Sequence, residues 1–122
     1  MSNAALYIKW GQPVRGRETK SIEVFMHALE YYGALEKQKK ITAQRVYVAE
    51  TGDLGKFGGF IVLEGDVAQL RAVLDSDDYK NLIMQAHQVV EHLETVHLAC
   101  GDEVPKIVAR VANARRQMGI TT

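Results

Sequence analysis

Hydrophobic and polar positions along this chain follow two periods, and the period assigns each stretch to a strand or a helix. Residues Ala5–Trp10 are β-prone and partly alternating, which predicts a first strand; Gly11, Pro13 and Gly16 break it. From Arg17 to about Lys40 there is no proline. Ile22, Phe25, Met26, Leu29 and Tyr32 recur at helical spacing there, which predicts one long helix with Gly33 as a weak point. Lys37, Lys39 and Lys40 stand at its end, where cations complement the helix dipole. Thr42–Glu50 predicts a second strand around Val46, Tyr47 and Val48, residues 51–55 a turn, and Phe57–Glu64 a third strand. Asp66 with Gln69 three residues on forms a capping box for a second helix, whose buried face is Val67, Leu70 and Leu74. Residues 75–78 interrupt that helix; Tyr79, Leu82, Ile83 and Ala86 resume the spacing. Val89–Ala99 predicts a fourth strand. Gly101 ends it, and Asp102 is placed to cap a last helix over about 102–118, with Pro105 in its first turn. The stripe of that helix is Val104, Ile107, Val108 and Val111.

The order up to Ala99 is βαββαβ, a ferredoxin-like α+β arrangement followed by an added helix. Residues 1–122 read as one domain with its core over about 5–99 and no internal linker. One helix layer covers only one face of a four-stranded sheet, so the other face must be polar or find a partner. Alternation puts Phe57, Ile61 and Leu63 on one face of the third strand and Phe60 and Val62 on the other. In the second strand Val46 and Val48 oppose Tyr47 and Ala49. Both faces are apolar, which predicts a homodimer pairing sheet on sheet.

Composition narrows the class without naming a chemistry. The chain has 122 residues, 47% apolar and 25% charged, as in an ordinary globular domain. Fifteen basic side chains balance fifteen acidic ones, so no long-range field draws it toward nucleic acid or an anionic membrane. The single cysteine, Cys100, allows neither an internal disulfide nor a cysteine-based zinc site. Met1–Trp10 lacks the layout of a signal peptide, and no apolar run approaches the ~20 residues needed to span a bilayer. The expected location is the cytoplasm, with no membrane partner.

Candidate chemistry comes from histidines and polar strand positions. His87, His92 and His97 are spaced by five, a step that turns about 140° on a helix and changes face on a strand, so no metal site is expected of them. Strand alternation groups His92 with Glu94, Arg45 with Tyr47, and Tyr7 with Lys9. Gathered on the face away from the helices, these groups would line a polar pocket for a small polar or anionic molecule; the expected place of a small-molecule pocket is near the paired sheets or under the first helix. His92 would be the general base, Arg45 would hold an anion, and Tyr7 and Tyr47 would line the pocket. Gly52, Gly55, Gly58 and Gly59 fit neither the phosphate loop nor the dinucleotide fingerprint, and no cofactor is expected. RNA-recognition motifs share the βαββαβ order, and Leu6–Ile8 and Lys56–Leu63 resemble their first- and third-strand motifs. Gly58 and Leu63 vacate two aromatic positions, however, and the charge is balanced.

Gly58–Asp66, followed by a helix and then by Ser76, Asp77, Asp78 and Tyr79, resembles the dimeric α+β barrel superfamily. The likeness covers about residues 5–99 and looks closest to small uncharacterised bacterial proteins related to the YCII-like family. The resemblance implies two ferredoxin-like sheets paired into a barrel. It also implies function classes that include isomerases, cofactor-independent monooxygenases and lyase- or dehalogenase-like enzymes. Asp77 takes the place of an Asp that follows the second helix in the YCII-related pattern, and the resemblance implies a catalytic role for it. Asp78 stands where a Pro is usual, and the early His of that family has no counterpart between Leu6 and Met26. The competing expectation is a non-catalytic module that binds a ligand or another protein; RNA binding through the sheet stands behind both.

Overall fold

The computed structural model of the chain describes residues 2–120. Four strands, β1 (Ala4–Trp10), β2 (Ala43–Val48), β3 (Gly59–Gly65) and β4 (Glu94–Ala99), form one antiparallel sheet in the order β2-β3-β1-β4. Between them run α1 (Glu18–Lys37), α2 (Val67–Asp75) and α3 (Asp77–Val89), and α4 (Glu103–Gln117) follows β4. This is the expected ferredoxin-like α+β order with an added helix. Leu6 pairs with Leu63 and Ile8 with Ile61, so their side chains point together to the helix side. There they join Tyr32 and Leu35 of α1, Leu70 and Val73 of α2, and Tyr79 and Leu82 of α3 in one core.

Local chemistry explains most element ends. Asp66 accepts from the backbone N–H of Gln69, and the Gln69 side chain accepts from the N–H of Asp66, which is the expected capping box. Ser76 separates α2 from α3 in extended conformation and caps α3 by accepting from the N–H of Tyr79. Gly58 and Gly59 lie flat beneath Trp10: a Cβ on Gly59 would stand 2.5 Å from the Tyr47 carbonyl oxygen and 2.8 Å from the indole.

Several expectations need correction, among them that for Val67 of α2, which is exposed and not part of the buried face. The buried side of α1 runs through Ser21, Phe25, Ala28, Tyr32 and Leu35, and Ile22 and Met26 are 63% and 57% exposed. The buried stripe is thus rotated from the expected one toward Ser21 and Ala28. The helix also passes Gly33 without a break. The fourth strand is shorter than Val89–Ala99: α3 continues through buried Val89, and His92 has a left-handed φ of 57°, which a strand cannot hold. Pairing therefore begins at Glu94, opposite Lys9. Phe57 lies before β3 and turns its ring to Phe60, with ring centres 5.9 Å apart, so it joins the outer face and not the core. Asp102 is already helical in backbone and makes no side-chain cap; α4 opens instead on N–H bonds from Glu103 and Val104 to the carbonyls of Cys100 and Gly101.

Candidate functional site

The helix layer and the sheet do not close on each other everywhere. Between α1, α3 and the strands β1 and β3 lies an open-ended cavity of about 230 Å³. Ile8, Trp10 and Ile61 form its floor, Phe25 and Ala28 its α1 wall, and Leu82 and Ala86 its α3 wall. Trp10 and Phe25 meet at a tilt, with ring centres 5.4 Å apart. The cavity exists because two facing helix positions carry alanine where larger side chains would fill the gap. Ser21 and Tyr32 are its hydroxyl-bearing wall residues, and the Ser21 hydroxyl already donates to the Glu18 carbonyl one turn back. The interior therefore favours apolar surface and offers few fixed polar partners.

Its rim is backbone tied to backbone. Gly11 N–H donates to the Glu91 carbonyl at 2.8 Å, Glu91 N–H to the Gln12 carbonyl at 2.9 Å, and Val14 N–H to the Val89 carbonyl at 2.8 Å. The Gln12 amide adds a 3.0 Å bond to the Glu91 carboxylate, and Arg17 joins the start of α1 to the end of α3 through the Gln88 carbonyl at 2.6 Å. Gly11 is required here, since a Cβ would lie 2.5 Å from the Gly55 carbonyl oxygen and 3.2 Å from the edge of the His92 ring. His92 thus stands at this rim, exposed and in a turn.

Tyr7, Arg45 and Tyr47 share the face away from the helices, where alternation put them, and so lie across the sheet from the cavity. Phe60 sits at the centre of that face, 5.0 Å from the Tyr7 ring and stacked 4.9 Å from the Tyr47 ring. Arg45 pairs with Glu64 at 3.5 Å and Lys9 with Glu94 at 3.9 Å. Arg45 is thus already engaged by a carboxylate, and the face carries apolar area edged by neutralised charge. His92 is on neither face of a strand and does not join these residues. Asp77 lies in the first turn of α3 and His92 just past its other end, so roughly 18 Å of helix separates them. They cannot form one acid–base pair in a single subunit.

The residues that line the cavity, Trp10, Ala28 and Ala86 above all, escape a reading that looks for polar groups. The available signal is the pair of small residues on the inward sides of α1 and α3. A buried aromatic cluster closes the far end of the helix layer. The Tyr31 hydroxyl shares a 3.3 Å hydrogen bond with Ser76, and its ring lies 5.4 Å from that of Tyr32. Burial pushes the Tyr79 phenol up to about 12, helped by neighbouring Tyr31, and holds the Tyr32 phenol well above its ordinary range.

Among the described residues, no helix is long and apolar enough to cross a membrane. No protein-family model matches the sequence, and no curated protein matches it. Among solved structures, the fold is similar to that of SnoaB, a cofactor-independent oxygenase from Streptomyces nogalater. The two superpose with a TM-score of 0.56 over 85% of this chain and 99% of that one, at 9% sequence identity. At that identity the likeness is one of fold alone.

Proposed function

We propose that this chain is a homodimer that binds a small, predominantly apolar organic molecule in the cavity between α1, α3 and the sheet. The observation that carries the reading is the cavity itself, about 230 Å³ with walls of aliphatic and aromatic side chains. A cavity of about 150 Å³ lined by such residues stays dry and binds benzene, so this one suits one or two fused rings. The ligand class differs from the polar or anionic molecule expected from the sequence, because the polar residues behind that expectation face away from the cavity. The dimer rests on the outer face, where Tyr7, Tyr47, Phe60 and Val62 would otherwise meet water.

Trp10 is the one tryptophan of the chain and part of the cavity floor, so it reports on occupancy. Titration with bromobenzene, a heavy-atom quencher of indole, is expected to quench Trp10 saturably. Quenching that rises linearly with concentration, as for free indole, refutes the binding site.

A second reading is chemistry on that bound molecule without a cofactor. What favours it is the imidazole of His92 at the rim, together with the activity of SnoaB. A dihydroxynaphthalene fits the volume and is the probe of choice. Oxygen uptake above the uncatalysed rate that is lost in His92→Ala supports this reading; uptake equal to the blank leaves a binding protein.

A further inference from the structure

A fifteen-residue helix standing alone in water is marginal, so helices of this length are held by an apolar stripe packed on something else. In α4 that stripe has no cover. Val104, Ile107, Val108 and Val111 are between 39% and 62% exposed, and no residue of the helix is buried. Ile107 lines a groove on the body beside Leu74 and Leu98.

We propose that α4 is an arm that lies on the body of a second copy of this chain, an inference that rests on the homodimer reading. Three observations select that occupant. The first is charge. α4 carries Lys106, Arg110, Arg115 and Arg116 against the single acid Glu103. With fifteen basic and fifteen acidic groups in the chain, the other residues hold eleven basic and fourteen acidic ones. Arm and body therefore bear opposite net charges of three, which attract between copies. The second is continuity. β4 turns Val96 and Leu98 to the outer sheet face, in register with Tyr7 and Ala5, and only Cys100–Asp102 intervene before α4. The arm thus begins at the edge of the apolar face that the dimer would cover. The third is reach. Fifteen residues of helix span about 22 Å, whereas four strands place their outer axes about 14 Å apart, so α4 can cross a whole partner sheet layer. An anionic membrane suits the stripe less well, because it consists of Val and Ile without the aromatic anchors of interfacial helices.

The test is the dimer dissociation constant of the full chain, measured by sedimentation in parallel with the double variant Val108→Glu/Val111→Glu and with Phe60→Glu. Both glutamates replace exposed side chains, so folding is retained and is checked by circular dichroism. The arm reading predicts that the double variant weakens the dimer about a hundredfold. It also predicts that carbodiimide coupling in dimers of light and heavy isotope forms an amide, with loss of water, between the Lys106 amine of α4 and a carboxylate of the other copy. A dimer broken by Phe60→Glu but unchanged by the double variant overturns the arm and leaves the sheet interface standing. A wild-type monomer overturns the homodimer reading and the arm with it. Sedimentation of wild type with phosphatidylserine vesicles, abolished in the double variant while the dimer is unchanged, overturns the arm in favour of a membrane surface.

Discussion

Ala28→Leu tests the cavity by the sign of its effect. Ala28 lies on the inward side of α1 and lines the empty space. The substitution adds three carbons, each contributing about 0.8 kcal/mol when buried, so filling the void offers about 2.4 kcal/mol at most. Leucine costs about 0.2 kcal/mol of helix propensity, and a partly collapsed unfolded chain lowers the gain further, leaving roughly 1–2 kcal/mol of stabilisation. For 122 residues the entropy of unfolding makes each kcal/mol worth about 4 °C, so the melting temperature should rise by about 4–8 °C. If α1 were packed solidly on the sheet, the same side chain would overpack the core and cost about 1–3 kcal/mol. Thermal and urea unfolding of the two proteins decide between these outcomes. The stabilised variant must also lose saturable quenching of Trp10 by bromobenzene. A lower melting temperature, or a raised one with binding intact, refutes the reasoning.

Leu63 is wholly buried between the sheet and the helices, and Leu63→Ala should cost about 2–5 kcal/mol in urea unfolding without changing the fold type. Phe60→Glu places a carboxylate among three aromatic rings on the outer face, and the native mass measured by light scattering should fall from dimer to monomer. The phenols of Tyr32 and Tyr79 are held above the ordinary tyrosine value of 10.0 in the folded chain. Their contribution to stability is therefore complete below about pH 10 and is lost as pH rises toward 12, because the unfolded chain gives up those protons first. Tyr79→Phe should flatten that alkaline loss, which unfolding midpoints at pH 9 and pH 11 will show; an unchanged slope would sink the assignment.

The sheet elements and their order were legible because β1 and β3 are short β-prone runs set off by glycines, and the α2 start because Asp66 and Gln69 form a local motif that needs no tertiary context. The apolar outer face was legible from alternation, since Phe60 and Val62 oppose Ile61 and Leu63. The α1 stripe was not, because Ile22 and Met26 match helical spacing as well as Phe25 and Tyr32, and only docking against the sheet decides which flank is covered. The end of α3 was hidden by Val89 and Val90, β-branched residues that suit either a helix end or a strand. His92 followed from that error: read as strand, it belonged with Glu94, whereas its left-handed backbone sets it at the rim of the cavity. The cavity is illegible in principle from polar residues, since it arises from what Ala28 and Ala86 lack.

The most direct measurement is a methyl NMR titration of the full chain with indole. The account predicts saturable shifts at Ile8, Ile61, Leu82 and Val89, which line the cavity, while Val62 and Val96 of the outer sheet face stay in place. Shifts confined to Val62, Val96 and Leu98, or no saturable shift at any methyl, would contradict it.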